Sequence, residues 1–260
     1  IYAGSRNLIR VFDVSRPGRD CVELPLVRSK RDPFSAFQGL VSTIAFTKES
    51  CAMQVYACGT FSNNISVFQE GQEPHAALTL RDVPVGGGVT SLEWSPEGNY
   101  LWVGGRRSED IICYDLRSTR GEVGRVTRRL ETNQRMVFDL DPWGASLATG
   151  SQDGEILIYS TKTFEIIQKV RLKSPRKGEA GYADCTSAVR YHPFCSLLCV
   201  SSGERRFSTS NSSEDSDSSS DEGSSGERRR GRRDRRQREN PRKKTRRADV
   251  GRGGLSGLHV

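Results

Sequence analysis

Apolar and polar positions along this chain follow a phrase that returns about every 45 residues: an apolar run, a patch of small residues, a polar turn, then a β-rich segment closed by an aromatic. Three copies are complete: VSTIAFTKESCAMQVYACGTFSNNISVFQE from Val41, VTSLEWSPEGNYLWVGGRRSEDIICYDL from Val89 and MVFDLDPWGASLATGSQDGEILIYST from Met136. A copy lacking its front, IYAGSRNLIRVFDV, opens the chain, and TSAVRYHPFCSLLCVSSGERRF from Thr186 begins another whose second half is displaced. The closing aromatics Phe12, Phe68, Tyr114 and Tyr159 step by 56, 46 and 45 residues. That period suits one four-stranded propeller blade per unit, so the pattern predicts an all-β, partial β-propeller with four to five blades.

Turn chemistry supports the same reading. Ser95-Pro96-Glu97-Gly98 and Asp141-Pro142-Trp143-Gly144 separate apolar strands, with Pro fixing φ and Gly supplying positive φ. Ser151-Gln152-Asp153-Gly154 leads into the alternating strand Glu155 to Tyr159, a hairpin signal in which Gly154 is a structural turn residue and Asp153 is expected to cap its own turn. Asp110 and Asn63 read likewise as turn braces. His192-Pro193 stands where the other units carry Ser95-Pro96 and Asp141-Pro142, which makes it a turn residue too.

No stretch approaches 18 apolar residues, so the sequence predicts no membrane partner. The chain starts at Ile1 in mid-blade, and the expectation is a fragment missing upstream blades, with open sheet edges prone to aggregate if expressed alone. Seven cysteines at irregular spacing, mostly in apolar strands, suit reduced packing. Cys185, His192, Cys195 and Cys199 could be drawn as a zinc cluster, but no C-x-x-C pair is present and no metal is expected. G-x-S-x-G, G-x-x-x-x-G-K-[ST] and H-E-x-x-H are all missing, so no catalytic residue, no cofactor and no small-molecule substrate are predicted. Gly86-Gly87-Gly88 precedes a strand, which favours an interblade loop over a phosphate cradle.

Charge divides the chain. Of the net +8, the residues from Glu204 onward supply 16 Lys and Arg against 10 Asp and Glu. SSEDSDSSSDEGSS from Ser212 is acidic and Ser-rich, with Ser213 and Ser219 as phosphorylation candidates; ERRRGRRDRRQRENPRKKTRR from Glu227 is basic. Neither half can build a core. The expected organisation is propeller blades over 1–207, a disordered low-complexity insertion over 208–250 and a final strand within 251–260. The basic run reads as an import signal, as a sequence-indifferent clamp on RNA phosphates, or as both.

One stretch departs from the repeat: Thr132-Asn133-Gln134-Arg135 falls in the loop feeding the inner strand expected over Met136 to Leu140. Asn, Gln and Arg can read base edges and Arg can stack on bases; the same residues could equally brace neighbouring blades. RPGRD from Arg16, VYACGTF from Val55, DIICYDLR from Asp110, ETNQRMVFDLDPWG from Glu131 and DCTSAVRYHP followed by SSGERRF, in this order, resemble the telomerase Cajal body protein 1 family of WD-repeat proteins. The resemblance implies a nuclear propeller, found in Cajal bodies where the organism has them, that binds H/ACA small Cajal body RNA and telomerase RNA. It also implies H/ACA ribonucleoprotein and telomerase components as partners, with no catalysis. Candidate RNA-binding residues, expected on one face, are Arg117, Asn133, Gln134 and Arg135, then Arg190 and Arg205. Arg117 could instead brace its blade through an ion pair. The alternative function is a WD-repeat protein-interaction scaffold without direct RNA recognition.

Overall fold

Every strand but the shortest few carries apolar residues on both of its faces, and only a stack of sheets packed face to face can bury both. The computed structural model describes residues 1–16, 18, 20–27, 39–49, 51, 53–71, 75–118, 121–171 and 184–203, which hold 17 strands and no helix. Arg205 and the segments 208–250 and 251–260 lie outside the described residues.

Consecutive strands pair in antiparallel order to form five blades. The first is β1 (Tyr2–Ser5), β2 (Leu8–Val11) and β3 (Val22–Pro25). Three four-stranded blades follow: β4 (Val41–Phe46) to β7 (Ala76–Leu80) through β5 (Val55–Thr60) and β6 (Ile65–Gln69); β8 (Val89–Trp94) to β11 (Glu122–Thr127) through β9 (Tyr100–Gly105) and β10 (Asp110–Asp115); and β12 (Phe138–Leu140) to β15 (Ile166–Arg171) through β13 (Ser146–Gly150) and β14 (Glu155–Ser160). The last blade shows β16 (Thr186–Tyr191) and β17 (Leu198–Ser202).

The four strands β4, β8, β12 and β16 are innermost and share one direction. All connections that deliver the chain to them, and the β1–β2, β5–β6, β9–β10 and β13–β14 turns, therefore lie at one end of the sheets. We call it the start face. The turns that leave the inner strands, together with β2–β3, β6–β7, β10–β11 and β14–β15, lie at the other end, the finish face.

The core sits between blades. In β9, Leu101 and Val103 point to the blade before and pack with Val67, Val89 and Leu92, whereas Trp102 points to the blade after and packs with Phe138, Leu140 and Tyr159. Burying a side chain of this size contributes about 2–3 kcal/mol. Trp94 adds a cross-blade hydrogen bond, its Nε1 donating to Ala45 O at 3.0 Å.

Equivalent turns are closed by different side chains. Ser95 Oγ accepts from Tyr100 N at 3.0 Å. Asp141 accepts from Trp143 N, Ala145 N, Ser146 N and Ser146 Oγ at 2.7–3.1 Å. His192 Nδ1 accepts from Phe194 N and Cys195 N at 3.1 and 3.0 Å.

Two local expectations need correction. The strand expected over Met136 to Leu140 begins at Phe138, because Met136 is drawn into a separate buried cluster with Leu130 and Cys185. Asp153 does not cap its own turn: Ser151 Oγ accepts from Asp153 N at 3.1 Å, which frees the Asp153 carboxylate to accept from Arg129 Nη1 at 3.3 Å. Gly154 stands in that turn at φ 74°.

Candidate nucleic-acid interface

The connection from β11 to β12 is long enough to present side chains at the start face, and it carries the polar run singled out in the sequence. Asn133 is exposed, and its Oδ1 accepts from Arg106 Nε at 2.7 Å, which leaves its Nδ2 donors outward. Gln134 is half-buried and donates from Nε2 to Gly203 O at 2.9 Å, tying the loop to the end of β17. Arg135 is exposed and has no hydrogen-bond or ion-pair partner among the described residues. It lines two spaces: one of about 480 Å³ among the inner strands with Thr43, Ser91 and Val137, and one of about 330 Å³ between β1 and β4 with Tyr2, Gly4 and Ser42.

Arg117 is not part of this group. It follows β10 and lies at the finish face, a whole strand length away, because the antiparallel order sends alternate turns to opposite ends. Its Nη2 donates to Asp115 Oδ2 at 2.7 Å and to Tyr100 OH at 3.1 Å, and the guanidinium sits over the Tyr100 ring at 5.4 Å. The hydrogen bond to Asp115, with its charge, raises the Arg117 pKa and lowers that of Asp115. The expectation of one pocket containing both Arg117 and Asn133 is therefore corrected.

Arg190 is likewise engaged elsewhere. It is the penultimate residue of β16, toward the finish face, and its Nη1 donates to Asp139 Oδ1 at 2.9 Å and Glu93 Oε2 at 3.2 Å. Three inner strands are joined through this one guanidinium. Burial lowers the Arg190 pKa, but the two carboxylates outweigh it and the net shift is upward. The Glu93 carboxyl is raised by burial and by Asp139, against the opposing pull of Arg190.

Sequence reasoning missed most of the start-face cations. Arg6 in the β1–β2 turn, Arg81 after β7, and Arg106 and Arg107 in the β9–β10 turn are all exposed, and like Arg135 none has an ion pair among the described residues. Among the described residues, Asp82 and Glu109 at that end have no ion pair, and Arg129 is neutralised by Glu131 and Asp153. The signal was present as the Arg106-Arg107 pair in a turn, but only topology collects residues 6, 81, 106, 107 and 135 on one face. Arg128 differs: it is buried, donates to Thr149 Oγ1 at 2.6 Å and Met136 O at 3.3 Å, and leaves its Nε unpaired. Burial lowers its pKa to about 10.

The glycine run Gly86-Gly87-Gly88 braces two blades. Asn63 Nδ2 donates to Gly86 O at 3.0 Å, Gly87 N to Arg106 O at 2.9 Å, and Arg106 N to Gly88 O at 2.9 Å.

Four antiparallel strands per blade, repeated around a channel lined by the first of each, define a WD-repeat β-propeller of which this chain holds four to five blades. A chain of the mitotic checkpoint complex superposes with a TM-score of 0.57 at 15% identity, covering 78% of this chain and 53% of that one, which shows the fold alone. No family model matches the sequence. Telomerase Cajal body protein 1 of Bos taurus is 35% identical over 219 residues, and that of Homo sapiens 33% over 216, each match covering 83% of this chain and 37% of the relative. Over 83% of its length the chain is thus similar to the telomerase Cajal body protein 1 family, and it spans a little over a third of the length of these curated relatives.

Proposed function

We propose that this chain forms part of an RNA-binding scaffold that recognises H/ACA small Cajal body RNAs and telomerase RNA and directs the ribonucleoprotein to nuclear Cajal bodies. The relatives' name links them to telomerase and to Cajal bodies and supports the destination. One observation supports the RNA: the exposed arginines of the start face, residues 6, 81, 106, 107 and 135, lack acidic partners among the described residues, while Arg10, Arg117, Arg125 and Arg190 are all in ion pairs. Unpaired guanidinium groups around an open channel are what a phosphate backbone neutralises. Asn133, anchored by Arg106, offers its free amide to a base edge; Arg135 reaches toward the channel; Gln134 positions the loop. H/ACA ribonucleoprotein and telomerase components are the proposed protein partners.

The test is crosslinking and sequencing of RNA bound to the full-length protein. Recovery of small H/ACA RNAs sharing a loop motif, abolished by Asn133→Ala with Arg135→Ala and retained after deletion of residues 227–247, supports the reading. Loss on that deletion alone, with the double variant unaffected, would assign binding to the basic run instead.

The finish face favours a second role in protein docking. Met53, Trp143, Phe194 and Leu197, on turns leaving the inner strands, are 63%, 76%, 88% and 61% exposed. A scaffold without direct RNA recognition would use this face alone, and its associations would resist RNase.

A further inference from the structure

Among the described residues four aromatic side chains are more than a third exposed, and three of them, Phe46, Trp143 and Phe194, lie at the finish face. The fourth, Phe61, is 43% exposed in the β5–β6 turn and shares the start face with the unpaired arginines. Its mounting is rigid. Phe61 N donates to Leu40 O at 3.3 Å, and Asn63, at φ 59°, holds the turn to Gly86 O. Gly88, at φ 116°, lies against the residue so closely that a Cβ there would come 2.6 Å from Phe61 Cα and 2.9 Å from its ring Cδ1. Gly88 thus packs against the Phe61 backbone and the Cδ1 edge of its ring, while the residue as a whole stays 43% exposed. The same glycine strip is hydrogen-bonded on its other side to Arg106, whose guanidinium holds Asn133. An aromatic plate, two cations that have no acidic partner among the described residues and an amide therefore follow one another across three adjacent blades.

Resting on the RNA reading above, we propose that Phe61 is a stacking platform for one unpaired base, with Arg106 and Arg107 receiving the adjoining phosphate. Aromatic rings stack on any base, and the cations track the backbone. A base in a duplex has no free face to offer, so the ligand class is single-stranded RNA.

The experiment uses the full-length protein and a fluorescein-labelled single-stranded RNA dodecamer, with its perfect duplex as comparison. Phe61→Ala and Phe61→Leu are expected to weaken the single strand about ten-fold, Phe61→Tyr to retain it, and all three to leave the duplex unchanged. Because Phe61→Leu keeps apolar bulk against Gly88, its loss of binding with an unaltered melting temperature separates stacking from folding. Arg106→Ala and Arg107→Ala are each expected to reduce the salt slope by about one, which Phe61→Ala leaves alone. Wild-type affinity in Phe61→Ala alongside weakened arginine variants overturns the platform and leaves the RNA reading standing. If the unaltered protein binds neither probe nor any cellular H/ACA RNA, both fail together.

Discussion

At the residue scale, an arginine's partner decides its work. Arg117 and Arg190 have carboxylates, so Arg117→Ala is expected to leave RNA crosslinking unchanged, whereas Arg135→Ala, which removes no internal bond, is expected to weaken it with no change in melting temperature. Arg128 has neither solvent nor a carboxylate. Truncating it to Ala strands Thr149 and leaves a void, a cost of roughly 2–4 kcal/mol, and Arg128→Met, which refills the volume, is expected to lose less on thermal denaturation. Its folded pKa, about 10, lies below its unfolded value. The guanidinium is therefore charged in both states at neutral pH, and stability rises only as alkali carries the pH past 10. Glu93 has the opposite consequence. Its folded pKa is raised, so the unfolded chain ionises first, and stability falls as pH climbs from the usual carboxylate range to the folded value. Glu93→Gln is expected to flatten that part of the pH–stability curve, measured by chemical denaturation between acid and neutral pH. The Arg117 ion pair was open in sequence as an alternative, because Asp115 stands two residues before it; the engagement of Arg190 by Asp139 and Glu93 was not, since those carboxylates come from other blades.

At the element scale, the second strand of each four-stranded blade carries a glycine where the next blade's inner strand arrives. A Cβ would fall 2.5 Å from Val89 at Gly59, 2.8 Å from Phe138 at Gly104 and 2.1 Å from the Thr186 carbonyl at Gly150. Side chains can yield and backbone cannot. Gly150→Ala is thus expected to destabilise more than Gly104→Ala, with the latter near 1–3 kcal/mol, as read from denaturation midpoints. The small-residue patch of the repeat, noticed as pattern alone, is this close approach. The turns were legible for the same local reason: Gly98 and Gly144 at φ 77° and 73° satisfy a requirement that belongs to four residues and not to the fold. The start of β12 was not, since Met136 is claimed by Leu130 and Cys185 from elsewhere in the chain.

At the scale of the whole molecule, the two faces differ in kind. Guanidinium groups without acidic partners among the described residues crown the start face; exposed Trp143 and Phe194 stand at the finish face. Arg106→Ala with Arg107→Ala should lower RNA affinity more at low salt than at high, while Trp143→Ala with Phe194→Ala should spare RNA and release protein partners, a contrast that paired RNA and protein pull-downs from cells will read.

The sequence by itself determined the blades. Hydrophobic period, turn residues and glycine placement are local, and each unit repeats them, so the architecture and the family resemblance could be read before any coordinate. Tertiary structure alone decided the faces. Antiparallel pairing sends successive turns to opposite ends, which separates Arg117 from Asn133 although only a strand and a loop lie between them, and gathers Arg6, Phe61, Arg106 and Arg135 from four different units. Whether a charge is free depends on what that gathering brings within hydrogen-bond reach, and no periodicity along the chain encodes it.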